Sequence, residues 1–437
     1  MKNNVLSSLT FIFISILVSS CGGSDTNIVE RESIPIEDDH DHDEEKISQG
    51  RLLISTKDQA KVSVVDINGK TVLHEVALNE SPSAIYASPT NRYGFIVQRT
   101  ADRVDILDGG LWQENHGDHL HDYEQTPTQM PFNTNKVRPT HFTGTDTESV
   151  IFYDGNAETA TPASVGVFTE IDITNNTAGT WLEHSTHMHG AAQSRGDYLI
   201  ATLRDPATTS TLPDRIAIYR EHNGYFVDEN IVAETCPGLH GSAQNKNQIA
   251  FGCTDGVLVM TQMGDVFSAK KIINPVNFTG TTRVGTLLGD ETIAEFIGIA
   301  SGQFFAINTS TNTITAIHWA DANINPTATG YGFADDGNLF VILDNHGGVT
   351  ILNSDDWSLK ARIQAVTSNI AALPAGSKFE LALTPGKKAY VSDPIANQIN
   401  QIDLEKAVVS DTIPLDFIPN KLTWLGIAEP ATDRYSH

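Results

Sequence analysis

Three features of the sequence predict an all-β fold. Short apolar strands follow one another with no convincing helix between them. They return at a nearly constant spacing, and the last repeat is a lone strand while the first repeat is short of one. The expected architecture is a β-propeller of about seven or eight four-stranded blades, eight favoured, closed by joining the N- and C-terminal strands.

The elements support this in order. From Arg51 onward, apolar runs such as Arg51–Thr56, Tyr198–Leu203 and residues 149–153, 248–252 and 339–343 are bounded by Gly, Asn, Asp and Pro, which end strands and make turns. The recurring unit is an inner strand, a polar turn, a second strand, another turn and a strand ending near Asp. Ala84-Ile85-Tyr86-Ala87 followed by Phe95-Ile96-Val97 is one instance; Leu381-Ala382-Leu383-Thr384 followed by Ala389-Tyr390-Val391-Ser392 is another. Units begin near Pro82, Arg138, His187, Pro237, Val284, Ala328, Lys378 and Pro419. The gaps are roughly 40–56 residues, the length of a four-stranded blade. The final unit holds one strand and residues 51–78 hold about three, so the two chain ends complete one blade and leave no open sheet edge.

The chain before this body reads as an address. Residues 1–20 form a signal peptide: Met1-Lys2 gives a basic start, residues 5–18 are an apolar run broken only by Ser and Thr, and Val18-Ser19-Ser20-Cys21 has the layout of a bacterial lipobox. Cys21 would be acylated and become the mature N-terminus. Gly22 after it favours the outer membrane, with the protein facing the periplasm. No later segment reaches the ~18 apolar residues that a membrane helix needs, so membrane contact is expected through the lipid anchor only. Residues 21–50 form an acidic tether with Glu37-Asp38-Asp39-His40-Asp41-His42-Asp43-Glu44-Glu45, too poor in apolar side chains to fold. It is a solvated spacer or, through His40 and His42, a weak metal-capture arm. The propeller is expected over 51–430 and a tail over 431–437.

Composition narrows the partners. The chain has 437 residues, with Lys+Arg 28 against Asp+Glu 54 and a formal charge of −26. Such a surface repels phosphate backbones, so no nucleic acid is expected as a partner. With 40% hydrophobic residues and 33 glycines, the collagen-like and wholly disordered classes are excluded. A monomer is expected. Of three cysteines, lipidation uses Cys21, which leaves Cys236 and Cys253. In an oxidising compartment a disulfide is the first expectation for this pair, with thiolate metal ligands as the alternative.

The fifteen histidines carry the functional reading. His141, His189 and His240 each lie ten residues before an apolar residue of the following strand, namely Ile151, Leu199 and Ala250. Three successive units therefore place a His at one register of the inner strand. Inner strands of neighbouring blades ring the central channel, so the three imidazoles are expected to converge. Zinc takes three or four N, O or S ligands, and neutral imidazole is its commonest nitrogen donor. His187 shares a face with His189 in an extended segment. An insertion after the second unit, His116-Gly117-Asp118-His119-Leu120-His121-Asp122, adds His116, His119 and His121 and is expected to cover or complete the site. His184 reads as an outlying surface residue. Glu380 lies ten residues before Tyr390, in the same register as the histidines, and is a candidate channel acceptor. His74, His222, His318, His346 and His437 are isolated, with His346 in a turn.

With these motifs in hand, the chain resembles the AztD-type periplasmic zinc metallochaperones. The resemblance rests on Gly110-Leu111-Trp112 with His116-Gly117-Asp118-His119-Leu120-His121, on Arg138-Pro139-Thr140-His141-Phe142, Phe152-Tyr153-Asp154-Gly155 and His187-Met188-His189-Gly190, and on Cys236-Pro237-Gly238-Leu239-His240-Gly241 with Phe251-Gly252-Cys253. It implies a β-propeller that binds Zn²⁺ and passes it to the solute-binding protein of a zinc ABC importer, with no enzymatic role. The alternatives are a metal-dependent propeller hydrolase, with Asp118 or Glu380 as base, and a surface interaction scaffold whose histidines merely pack. Copper in place of zinc is compatible with imidazole ligands.

Overall fold

The computed structural model describes residues 29–31, 50–115, 120–280 and 282–428. The signal peptide, Cys21, His40, His42, His116, Asp118, His119 and residues 431–437 lie outside them. The body is a propeller of eight four-stranded blades. The first blade is built from both chain ends: Pro419–Leu425 is its inner strand, followed by Arg51–Thr56, Lys61–Asp66 and Thr71–Ala77. Inner strands of the other blades start at Ala84, Pro139, Ala192, Ser242, Thr286, Ala328 and Leu381, within a few residues of the expected unit starts. The unit near Val284, weakly marked in the sequence, is a full blade with strands Thr286–Leu288, Phe296–Ala300, Gln303–Asn308 and Thr313–Ala316.

The blades pack face to face, and successive side chains of one strand serve different neighbours. Phe95 points toward the third blade, among Tyr153 and Phe168, while Ile96 points back toward the first, among Leu53 and Val64. This follows from the two-residue period of a strand. It also explains why second strands read as continuous apolar runs rather than alternating ones. Eight buried clusters fill the eight blade-to-blade interfaces, and the one between the eighth blade and the first holds Leu52, Tyr390 and Trp424. The ring is therefore closed by a packed core as well as by hydrogen bonds.

Strand direction gives the propeller two distinct faces. Every inner strand starts on one face, here the upper, and second strands end there: Pro419 pairs with Thr56, and Pro139 with Tyr153. Inner strands end, and third strands end, on the lower face: Leu425 pairs with Arg51, and Tyr93 with Asp108. A six-residue strand such as Glu148–Tyr153 separates the faces by roughly 20 Å.

Two departures from expectation lie on the lower face. The insertion after Asp108 folds as a hairpin of Leu111–Asn115 and Leu120–Glu124, and Val29–Arg31 adds a third strand to it. This part of the tether, expected to be unstructured, is thus a strand: backbone pairing with an open edge stabilises it without an apolar core. The hairpin is fixed to the body by Trp112, which stacks on Tyr123 with ring centroids 5.2 Å apart and lies under the Arg92 guanidinium at 4.0 Å, and by the buried Arg51, which pairs with Glu124 at 2.9 Å. A short helix, Glu170–Asn175, follows the third strand of blade three, with Thr169 and Asp172 forming its capping box. Among the described residues no helix is long and apolar enough to cross a membrane.

Candidate metal centre

Three local structures deliver the histidines to the upper face. His141 is on the inner strand Pro139–Gly144, just past a register shift between Pro139 and His141. Arg138, three residues before it, holds a left-handed backbone with φ 57°, fixed by Asp102 accepting its N–H at 2.9 Å. Such a conformation is disfavoured in a residue with a side chain and persists only when neighbours impose it.

His189 and His240 differ from the expected placement on inner strands. They lie in the connections that precede Ala192–Arg195 and Ser242–Gln244. In the first connection, Met188 is buried and donates its N–H to the Asp154 carbonyl at 3.0 Å, and His189 donates its own to Thr211 O at 2.9 Å. Gly190 is needed because any side chain there would strike the Phe152 ring and the Thr202 hydroxyl. In the second, His240 N–H donates to Gly252 O at 2.9 Å, and the Cys236–Cys253 disulfide ties the same two segments together. Of the two readings of this cysteine pair, the disulfide is the one the structure holds. Gly241 turns the chain with φ 77°, where a side chain would meet the Gly285 carbonyl.

The three rings converge. His141 Nε2 lies 3.3 Å from His189 Nε2, which lies 3.1 Å from His240 Nε2. One ligand atom from each lies within 4.8 Å of the others, and all three residues are half-buried. Tetrahedral zinc with imidazole ligands at ~2.0–2.1 Å requires nitrogens about 3.3–3.4 Å apart, so the spacing fits one ion with little adjustment.

The partners of the outer nitrogens fix the tautomers. His240 Nδ1 is 2.6 Å from the Gly285 carbonyl, which only accepts, so Nδ1 carries the proton. His189 Nδ1 donates to Asp154 Oδ2 at 3.0 Å, and Arg99 Nη2 donates to the same oxygen at 2.8 Å. Neutral rings with Nδ1–H have their lone pairs on Nε2. The Nε2 atoms of His189 and His240 are thus the ones turned toward each other, 3.1 Å apart. Burial, then the neighbouring His189 charge, pushes His141 down to about 4, opposed by Asp154. Burial likewise lowers His240, opposed by its bond to Gly285. These two rings are therefore neutral donors near pH 7, and the Asp154 carboxylate behind His189 fixes the orientation of that ligand.

Among the described residues, the remaining sequence candidates are not part of this cluster. His187 is half-buried, and its carbonyl accepts from Arg204 at 3.0 Å, but its ring is outside the group of three. His121 is on the hairpin strand Leu120–Glu124 opposite Glu114, on the lower face. The two described strands of the insertion therefore emerge on the face away from the triad, because a connection between third and fourth strands falls on the opposite face from a connection into an inner strand. His184 is buried, not a surface residue, between the rings of Phe152 and Tyr219. Glu380 pairs with Lys421 at 2.8 Å and Lys378 at 3.4 Å, which satisfies it as part of an ion pair rather than as a channel acceptor.

Sequence reasoning missed the roles of Asp154, Arg99 and the Gly285 carbonyl. The available signal was the Asp that ends strand Glu148–Tyr153, a position one step past the strand and facing the next blade.

Comparison with known proteins agrees with the fold. No protein-family model matches the chain. A curated relative, the zinc chaperone AztD of Citrobacter koseri, is 22% identical over 408 residues, covering 88% of each chain. The crystal structure of Citrobacter koseri AztD aligns with TM-score 0.73 and 19% identity over 87% of this chain and 98% of that one. The structure of its apo form gives TM-score 0.71 at 18% identity, covering 86% and 98%. Dihydro-heme d1 dehydrogenase NirN gives 0.55 at 10% identity, covering 90% of this chain and 79% of that chain, a likeness of fold alone. The comparisons support an AztD-type family, and the role named for the curated relative is not enzymatic.

Proposed function

We propose that this AztD-type chain is a zinc metallochaperone that carries Zn²⁺ as cargo between His141, His189 and His240 and releases it to a second protein. The observation that carries the reading is the convergence of three Nε2 atoms, 3.3 and 3.1 Å apart, with a proton acceptor behind the His189 and His240 rings. Three imidazole donors leave a fourth position at the upper mouth. A ligand from a recipient protein can enter there and exchange with the histidines one at a time, so zinc need never be free in water. The recipient in this reading is the solute-binding protein of a zinc ABC importer, as the sequence resemblance implies.

Location belongs to the same proposal. In this reading the lipobox directs the chain to the periplasm, anchored through Cys21, with the outer membrane favoured. Cys21 is eight residues before Val29, at most ~29 Å of extended chain. Val29–Arg31 pairs with the lower-face hairpin. An anchored molecule would then turn its lower face to the membrane and its histidine mouth toward the periplasm, where a recipient approaches. His40 and His42 lie between Arg31 and Gly50, a segment that leaves from and returns to the lower face. They are assigned the weaker capture role, together with His116, His119 and His121.

Isothermal titration with Zn²⁺ tests the reading. Wild type should bind one ion tightly, and His141→Ala with His189→Ala should weaken that site by at least about 100-fold. Unchanged stoichiometry and affinity in the double variant would remove the histidine centre from the account.

A further inference from the structure

The connection over residues 204–214 does more than join the second strand of blade four, Tyr198–Leu203, to the third, Arg215–His222. It lies on the upper face and is bonded to two of the three ligand segments. Thr211 O accepts the His189 N–H at 2.9 Å. Pro213 O accepts the N–H of Leu239, the residue before His240, at 3.0 Å, and Asp214 O accepts the Cys236 N–H at 2.7 Å. One short stretch of backbone thus holds both segments, whereas His141 stands on its own inner strand in blade three.

The connection needs a support of its own. Pro206 to Thr211 are exposed. The bonds from Ala207 N–H to Asp205 Oδ1 at 2.8 Å and from Leu212 N–H to Ser210 Oγ at 3.1 Å are local turns. The support comes from beneath, through Arg204, which is 5% exposed. Its Nε donates to Ser210 O at 2.5 Å and its Nη2 to Thr208 O at 2.7 Å. Its Nη1 donates to Thr186 Oγ1 at 2.9 Å and to His187 O at 3.0 Å. The guanidinium therefore fastens the connection to the residues just ahead of His189. Only arginine offers enough donors in one planar fork for these bonds. A buried cation held by neutral oxygens is costly to desolvate, and what it secures here is the backbone from which His189 and His240 project. Ring nitrogens 3.1 Å apart are already ordered for an ion, and loosening that backbone would return the ordering cost to the binding step.

We infer that Arg204 is a positioning residue for the metal: it acts through the 204–214 connection on His189 and His240 and sets how fast the ion leaves. The inference rests on the three-histidine reading and adds to it the group that governs release.

Stopped-flow transfer of zinc from the loaded full chain to an excess of a chelating dye tests it. Arg204→Met should release zinc at least about tenfold faster than wild type. Arg204→Lys, which keeps the charge but not the fork, should lie between the two. Thr186→Val removes one of the four bonds and should speed release about threefold. Ile351→Ala, in the core of blade seven, should lower the melting temperature and leave release at the wild-type rate, which separates positioning from general stability. A folded Arg204→Met that releases zinc as wild type does, or an Ile351→Ala that speeds release as much as Arg204→Met, would overturn the proposal and leave the histidine centre in place. Should Arg204→Met fail to fold, Thr186→Val decides, and unchanged release in it would overturn the proposal. Wild type that takes up no zinc would overturn the three-histidine reading and this inference with it.

Discussion

The upper and lower faces of the propeller hold histidines in opposite ways. On the lower face, His121 belongs to an insertion that also carries His116 and His119 close by in sequence, both outside the described residues. On the upper face, His141, His189 and His240 are 48 and 51 residues apart, yet their ring nitrogens are 3.3 and 3.1 Å apart. Each upper ring is also positioned from behind or by its chain: Asp154 for His189, Gly285 for His240, and the bulged strand after Arg138 for His141. The contrast teaches that local density of metal-binding residues is a weaker sign of a site than recurrence at the blade period. The fold itself supplies the convergence.

The sharpest way to break this comparison is to remove one histidine from each face. His189→Ala should cost at least about 100-fold in zinc affinity, since it leaves two ligands and a buried Asp154 without its imidazole partner. His121→Ala should leave the tight site unchanged within about twofold. Competition titration against a zinc-chelating dye measures both, and equal losses would dissolve the distinction between the faces.

Next in size is the support behind the ligand. Asp154→Asn keeps the shape but offers a neutral acceptor to His189 Nδ1 and removes the ion pair with Arg99. Zinc affinity should fall about 10- to 100-fold, with the fold retained in a thermal melt.

The disulfide sharpens the comparison further, because it belongs to the upper face only. Cys236 and Cys253 are separated by 17 residues and fasten the segment that carries His240. Cys236→Ser with Cys253→Ser should destabilise the protein by about 3 kcal/mol. The backbone bond from His240 N–H to Gly252 O would still hold the segment, so zinc affinity should fall by less than for Asp154→Asn. A calorimetric scan and the same dye titration measure the two effects.

The smallest expected effect is on acid stability. His184 is driven down to about 4 by burial, as His141 is by burial and by His189. Between about 4 and the ordinary value of 6.5 the unfolded chain binds more protons than the folded one, so the metal-free protein loses stability as pH falls through that window. Replacing His184 with Phe should remove one such proton and flatten the pH dependence by on the order of 2 kcal/mol. Melts at pH 7 and pH 5 measure this. For zinc binding, the low values mean that protons compete at His141 only near pH 4, well below the pH of about 6 at which an unperturbed imidazole would charge.

Much of this was legible in the residues. Strand repeats such as Leu381–Leu383 before Lys388–Asp393 gave the blades, and the ten-residue offset from His141, His189 and His240 to their next strands gave the cluster. The lone strand Pro419–Leu425 gave the closure. The side of the 111–124 hairpin was also determined in principle, since an insertion after a third strand must leave on the lower face. Asp154 and Arg99 were illegible for a different reason. They meet His189 across a blade interface, and a contact set by packing angle leaves no spacing in a linear sequence. His184 looked like a surface residue because a polar residue flanked by Glu183 and Ser185 gives no apolar pattern; its burial comes from Phe152 and Tyr219 of two different blades.

X-ray absorption at the zinc edge, with an anomalous map of zinc-loaded crystals, tests the central claim most directly. The account requires a single tight ion at the upper mouth with three imidazole nitrogens at ~2.0–2.1 Å, from His141, His189 and His240. An ion bound tightly only at the lower-face hairpin, or one at the upper mouth with no imidazole in its shell, would contradict it.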